Sequence, residues 1–488
     1  MPGRALLTIL AAAALLAPAA ARADDVPRPG SAGLGDLAQP MLGNGGYDVT
    51  HWDLDLRFTD DLSAYGATTQ VSARATQALS RFDLALVGGG VDAVTVDGLT
   101  ATWTRTATEL QITPPRAIQA GTPFRVAVTV HKPVVTVASV WTSRSVTPTI
   151  ARQDDWVETS FQPSGARRLA AFADHPAQKA PAAITLTAPS RFNAIANGEL
   201  VGSRRNTTTT TRTFRSAEPL APELLQVIVG RFGVLRSAGP GGVRLRHVVP
   251  RGRARAVAPG LRIVSRGLAF LQARLGPLPL RQYGVVAAPV IAGGELESQG
   301  LTLLWGRGLT GQGLSWGYDG TIVHETAHEW FGNSVSPRRW TDLWLNEGHA
   351  TYYELLWGDA QGELGLDRTM RQIYERRAGS LLARYGPLAA PHGSPWGPGL
   401  SPFSNLVYEV GALALYALRL EVGDDTFTRI ERTWVARHRH GVAGTDDFIA
   451  LAGEVAGRDL GPFLRPWLEG RTVPPMPGRP DWKPAARA

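Results

Sequence analysis

The hydrophobic periodicity of this chain changes once, near residue 240, and that change sets what it can fold into. Before it, apolar residues alternate. His51-Trp52-Asp53-Leu54-Asp55-Leu56-Arg57-Phe58 puts Trp52, Leu54, Leu56 and Phe58 on one face, which predicts a half-buried strand. Phe124–Val130 and Ala183–Thr187 repeat the pattern, and the threonine run Thr207–Thr211 suits a pleated surface. After about Gly241 the spacing becomes helical. Leu261, Val264, Leu268, Leu271 and Leu275 recur at intervals of three and four, and similar patterns cover 342–357, 365–384, 405–421, 424–438 and 445–456. The expected fold class is α+β multidomain, with an antiparallel β domain over 40–237 and a mainly helical domain over 238–472.

The flanks carry other signals. Arg4, the apolar stretch Ala5–Ala20 and the small residues around Ala21-Arg22-Ala23 match a secretory signal over residues 1–23. The apolar part is too short for a membrane anchor, and no later segment has the length of a span, so the expectation is an exported protein, extracellular or periplasmic, cleaved near Ala23. Residues 24–39 read as a Pro/Gly-rich leader or linker, 386–402 as a loop, and 473–488 as a Pro-rich tail. The net charge of +8 rests on scattered arginines and only three lysines, which argues against a nucleic-acid partner. With no cysteine, disulfides and thiolate ligands are excluded, so any metal site is built from histidines and carboxylates.

Such residues occur together at His324-Glu325-Thr326-Ala327-His328. Asp319 is the expected N-cap of a helix over Ile322–Phe331, with Gly332-Asn333 as its stop. Histidines at i and i+4 share one helix face, which suits two imidazoles on one ion, and the adjacent Glu325 can reach a water there. Glu347 follows His328 after 18 residues, opening a second helical segment. Two histidines and one carboxylate form the donor set of a zinc site with one position left open, so one Zn2+ per chain is expected on His324, His328 and Glu347.

The run His324-Glu325-x-x-His328-x18-Glu347, continued by Gly348-His349-Ala350-Thr351-Tyr352-Tyr353-Glu354 and with Trp330-Phe331-Gly332-Asn333 just after the second histidine, resembles the gluzincin aminopeptidases of the M1 family. The resemblance spans about Tyr47 to Leu468. It implies a saddle-like or sandwich β domain, a thermolysin-like catalytic domain, and peptide substrates with a free N-terminus. It makes Glu325 the general base. Gly294-Glu295-Leu296-Glu297-Ser298 resembles the family's G-x-M-E-N motif, with Leu296 for Met and Ser298 for Asn, and makes Glu297 a ligand of the substrate ammonium. Thr159-Ser160-Phe161-Gln162 resembles T-Q-x-[E/Q], with Ser160 for Gln, and adds Gln162 to that ammonium site. Val407-Tyr408-Glu409-Val410-Gly411 resembles the segment whose tyrosine donates to the oxyanion, here Tyr408, with Val410 in place of a basic residue. Asn346 and Asp342 are expected as hydrogen-bond partners of the histidine ligands. An endopeptidase or other hydrolase on the same metal, and a non-catalytic scaffold on the same fold, stay open at this level.

Overall fold

The computed structural model describes residues 26–136, 149–289, 294–311, 318–389 and 403–484. The signal segment 1–23, most of the loop at 386–402 and the last four residues of the tail lie outside these. Among the described residues, no helix is long and apolar enough to cross a membrane.

The alternation around Trp52 produces the strand it implies. Tyr47–Phe58 pairs antiparallel with Ala64–Ala75, and Trp52, Leu54, Leu56 and Phe58 are buried while Asp53, Asp55 and Arg57 face outward. These strands lie inside an eight-stranded sheet that also contains Pro123–Pro133, Ala180–Pro189 and Thr209–Leu220. The expected antiparallel pattern has an internal exception: Ala180–Pro189 runs parallel to Tyr47–Phe58, with Ile184 opposite Leu54. A five-stranded sheet beside it contains Trp156–Ser160 and Val227–Gly230, and the former leads directly into Phe161-Gln162.

A third sheet, of mixed direction, joins the two halves. Phe232–Ala238 pairs with Arg244–Pro250, which neighbours Val285–Ala288 and then Thr302–Trp305. The expected boundary at 237/238 therefore falls inside a strand whose hydrogen bonds belong to the second half. Along Val285–Ala288, Val286 and Ala288 join the β-domain core, whereas Val285 and Ala287 join the helical core. A strand buried on both faces has no polar alternation to betray it, which is why sequence periodicity passes over it.

The helices follow: α1 (Ala254–Leu275), α2 (Tyr318–Ala327), α3 (Trp344–Ala360), α4 (Gly411–Val422), α5 (Asp424–Arg437) and α6 (Thr445–Ala456), with shorter segments between. Asp319 stands in the first turn of α2 rather than before it. The tail is packed: Met476 and Trp482 are buried, and the Trp482 ring stacks on Tyr416 at 6.2 Å.

The segment expected to be a leader is also part of the fold. Arg28–Pro29 pairs with the strand Leu79–Ala85, and Asp36 is buried. One Asp36 oxygen accepts the Ala38 and Gln39 N–H groups; the other meets His175 Nε2 of the β domain at 3.2 Å and accepts the Trp340 N–H of the helical half at 2.5 Å. Composition cannot reveal such a clamp, because its partners are 139 and 304 residues away. Burial alone would raise the Asp36 pKa, but the bonds from His175 and Trp340 outweigh it and hold the carboxyl below its usual range. The clamp's contribution is thus complete at neutral pH and fades as pH falls through the acid range. Replacing Asp36 by Ala strands a buried imidazole and a backbone N–H. Chemical denaturation at pH 7 is expected to show a loss of about 2–4 kcal/mol, shrinking towards pH 3.

Candidate metal centre

Helix α2 separates its faces sharply. Ile322, Val323 and Ala327 pack into the helical core, while His324 and Glu325 turn to the opposite side and His328 stands just past the last turn. Helix α3 crosses α2 and supplies Glu347. Its oxygen Oε2 lies 3.3 Å from His324 Nε2 and 3.4 Å from His328 Nε2. All three side chains are buried, at 8%, 1% and 2% exposure for His324, His328 and Glu347.

The outer nitrogens are held separately. His324 Nδ1 is 3.1 Å from Glu354 Oε2, and His328 Nδ1 is 3.1 Å from the Phe331 carbonyl oxygen. Both acceptors favour a proton on Nδ1, which leaves the Nε2 lone pairs directed towards Glu347. Ligand atoms of His324, His328 and Glu347 fall within 4.8 Å of one another. Convergent neutral imidazoles, a carboxylate and fixed outer partners fit one borderline-soft divalent ion such as zinc. Burial would raise the Glu347 pKa, yet the two histidines, when protonated as imidazolium groups, bring it down to about 2.

Glu325 sits next to this triad with Oε2 buried and without a hydrogen-bond partner among the described residues. Burial lifts its pKa to about 8 against the pull of both imidazoles. An orphaned carboxylate oxygen costs free energy unless something fills the space before it, which marks the reacting position.

Tyr408 reaches the site because two helices approach closely. A Cβ on Gly348 would stand 2.9 Å from Gly411 Cα, so only glycine allows α3 and α4 to meet there. The wide turn Leu406–Val410 ahead of α4 then carries Tyr408 over His324, with ring centroids 5.9 Å apart and planes 22° from parallel. Burial, reinforced by Glu347, Glu297 and Glu325, pushes the Tyr408 pKa well up, so the phenol remains a donor. Val410 is buried in the helical core.

Glu297 and Gln162 are brought together from the two halves. Gln162 Nε2 donates to Glu297 Oε1 at 2.5 Å, and Asn333 Nδ2 donates to the Glu297 carbonyl at 2.7 Å. Ligand atoms of Glu297, Glu325 and His328 also lie within 4.8 Å of one another, so this acidic pocket shares His328 with the triad. Ser298 forms a different tie: its hydroxyl donates to Gln226 Oε1 at 2.7 Å, and Gln226 Nε2 donates to the Thr159 carbonyl.

Two expectations fail. Asp342 caps α6, accepting the Thr445 N–H at 2.9 Å and its hydroxyl at 2.7 Å, and among the described residues it is not bonded to a histidine ligand. Asn346 lies against Gly332, with Oδ1 unpartnered among the described residues. The partner that sequence reasoning passed over is Glu354. It follows Glu347 by seven residues and so shares its face of α3, a signal the helical period contains. Lys179 is the other. Its buried ammonium donates to the Asn333 and Ser334 carbonyls and to Ser336 Oγ at 2.7, 3.0 and 2.9 Å, tying the loop after His328 to the β domain. Burial lowers its pKa to about 7, against a weaker pull from Glu223.

Residues 261–467 match the model of the peptidase family M1 domain. The fold is similar to the crystal structure of an M1 zinc metallopeptidase from Deinococcus radiodurans, at 29% identity and a TM-score of 0.76, covering 91% of this chain and 99% of that one. A two-domain M1 zinc metallopeptidase variant bound to L-arginine matches at 28% identity and a TM-score of 0.76, over 91% of this chain and 99% of that one. Among curated proteins, aminopeptidase M1-B of Oryza sativa subsp. japonica is 26% identical over 65% of this chain and 37% of its own length. Aminopeptidase N of Canis lupus familiaris is 30% identical over 56% of this chain and 30% of its own. The chain thus spans between a third and two fifths of the length of the first of these curated relatives.

Glu354→Gln should weaken metal affinity about 10–100-fold, because the carboxylate that orients His324 becomes an amide. Competition with a chromogenic chelator measures this, and unchanged affinity would remove Glu354 from the site.

Proposed function

From the premise that the chain carries a peptidase family M1 domain on a two-domain frame, we propose that it is a zinc-dependent aminopeptidase cleaving the first peptide bond of peptides with a free N-terminus. His324, His328 and Glu347 hold one zinc ion. When bound, zinc supplies a Lewis acid that polarises the scissile carbonyl and lowers the pKa of a water.

The protein's own groups carry the remaining work. Glu325 takes a proton from the attacking water on its unpaired oxygen and passes it to the departing amine. The Tyr408 hydroxyl donates a hydrogen bond to the oxygen that gains negative charge, a role worth about 3 kcal/mol in comparable sites. Glu297 and the Gln162 side-chain oxygen accept hydrogen bonds from the substrate ammonium.

One observation supports an exopeptidase above an endopeptidase: burial deepens along the segment towards Glu297. Exposure along the segment falls from Gly294, which is open to solvent, through half-buried Glu295 to Glu297, Ser298 and Gln299 at 3%, 0% and 3%. A carboxylate buried this deeply beside the triad, with Gln162 bonded to it, suits the charged terminus of a chain. The ammonium there also offsets the negative charge that Glu297 would otherwise keep buried.

Export is part of the proposal. The positive, apolar and small-residue pattern of residues 1–23 supports removal of a signal segment near Ala23.

Purified protein with zinc is expected to hydrolyse free-amine aminoacyl chromogenic substrates and to spare an N-blocked quenched peptide. Cleavage of the blocked peptide alone would refute the aminopeptidase reading. Glu297→Ala should cut kcat/KM on the free-amine substrate by about 100-fold or more while zinc content stays at one per chain. Parallel loss of zinc would contradict its assigned role.

A further inference from the structure

The G-x-M-E-N-like segment contains a carboxylate that the mechanism above does not use. Leu296 N–H and carbonyl bond Leu303, so residues 295–297 run beside the strand Thr302–Trp305 through that single bridge. In such a pairing, side chains two residues apart share a face. Leu296 points into the β-domain core, so Glu295 and Glu297 lie on the opposite side, the side of the metal triad. Glu295 is held there: its Oε1 accepts a hydrogen bond from the Tyr318 hydroxyl at 2.8 Å, and Tyr318 precedes Glu325 by seven residues on α2, on one helix face. The same hydroxyl accepts the Trp305 N–H at 2.8 Å, which fixes its position. Glu325 Oε2 is buried and has no hydrogen-bond partner among the described residues.

The burial gradient gives the substrate's direction. With its ammonium at the buried Glu297, a bound peptide extends towards the more exposed side, past Glu295 and Gly294. Two residues of extended backbone advance about 6.7 Å, so the second residue spans roughly 3.3 to 6.7 Å from the terminal nitrogen. Glu295 therefore stands beside the residue just after the scissile bond.

We propose that Glu295 is a specificity-determining residue that favours peptides with a cationic side chain, arginine or lysine, at the second position. This rests on the aminopeptidase reading and adds the substrate class to it. A half-buried carboxylate with one oxygen fixed by a phenol keeps its other oxygen for a guanidinium or ammonium group. No other acid-base step is required of it, and the preference is electrostatic, so it weakens with salt.

The test compares Leu-Arg, Leu-Gln and Leu-Glu amides on the zinc-loaded enzyme. These share the N-terminal residue and differ only in the charge after the scissile bond. Wild type is expected to show kcat/KM about tenfold higher for Leu-Arg than for Leu-Gln, and lower again for Leu-Glu, with the spread narrowing at 0.5 M salt on the order of the screening expected for half-buried pairs. Glu295→Gln should bring Leu-Arg and Leu-Gln to within about twofold of each other, and Glu295→Lys should favour Leu-Glu. Turnover of all three amides at equal rates by wild type would overturn the inference and leave the aminopeptidase reading intact. A preference for Leu-Arg that survives in Glu295→Gln would overturn it too. Failure to cleave any of the three would sink the inference together with the reading beneath it.

Discussion

The Glu347 carboxylate, buried between two imidazoles, is the contact on which the rest of the site depends. An ionised carboxylate inside a protein is tolerated only when it is paired and coordinated, and Glu347 has His324 and His328 on either side. To bring these groups together, α2 and α3 must cross with their polar stripes facing inward. Each helix then needs apolar cover on its other side, which the mixed sheet and the remaining helices provide. The outer shell follows from the same requirement. Glu354 and the Phe331 carbonyl fix the imidazole orientations, Gly348 lets Tyr408 approach, and the loop after His328 is pinned from the β domain by Lys179.

The β domain is thus more than a neighbour of the catalytic half. Gln162 completes the Glu297 pocket, Lys179 braces the loop that also holds Glu297 through Asn333, and Asp36 joins His175 to the Trp340 backbone. These ties are charged or polar and buried or half-buried, so each loses much if its partner shifts. The consequence is a site whose geometry is set by how the two halves meet. A buried carboxylate at Glu297 and a half-buried one at Glu295 give it direction as well as position.

Much of this could be read from the sequence where the signal was local. The i, i+4 histidines needed only a helix, and the alternation around Trp52 needed only a sheet with one wet face. Glu347, Glu297 and Tyr408 were legible through motif resemblance, and they do converge. What stayed hidden was set by distant partners. Asp36 sits in a Pro/Gly-rich stretch that composition reads as a linker, and only His175 and Trp340 make it structural. Asp342 lies near the metal motif in sequence, yet Thr445 claims it. The strand Val285–Ala288, apolar throughout, offers no period to read because its faces belong to two different cores. Glu295 was visible as a letter in the motif, but its role depends on the burial gradient beside it.

Two sets of side chains in this pocket bring ligand atoms within 4.8 Å of one another: His324, His328 and Glu347, and, sharing His328, Glu297, Glu325 and His328. The account assigns the metal to the first set and leaves the second for water and the substrate amine. Anomalous diffraction from zinc-loaded crystals, recorded at the zinc absorption edge, separates them directly. A single peak within bonding distance of His324, His328 and Glu347 is the predicted result. A peak centred on Glu297 and Glu325, or two peaks of comparable height, would contradict the account.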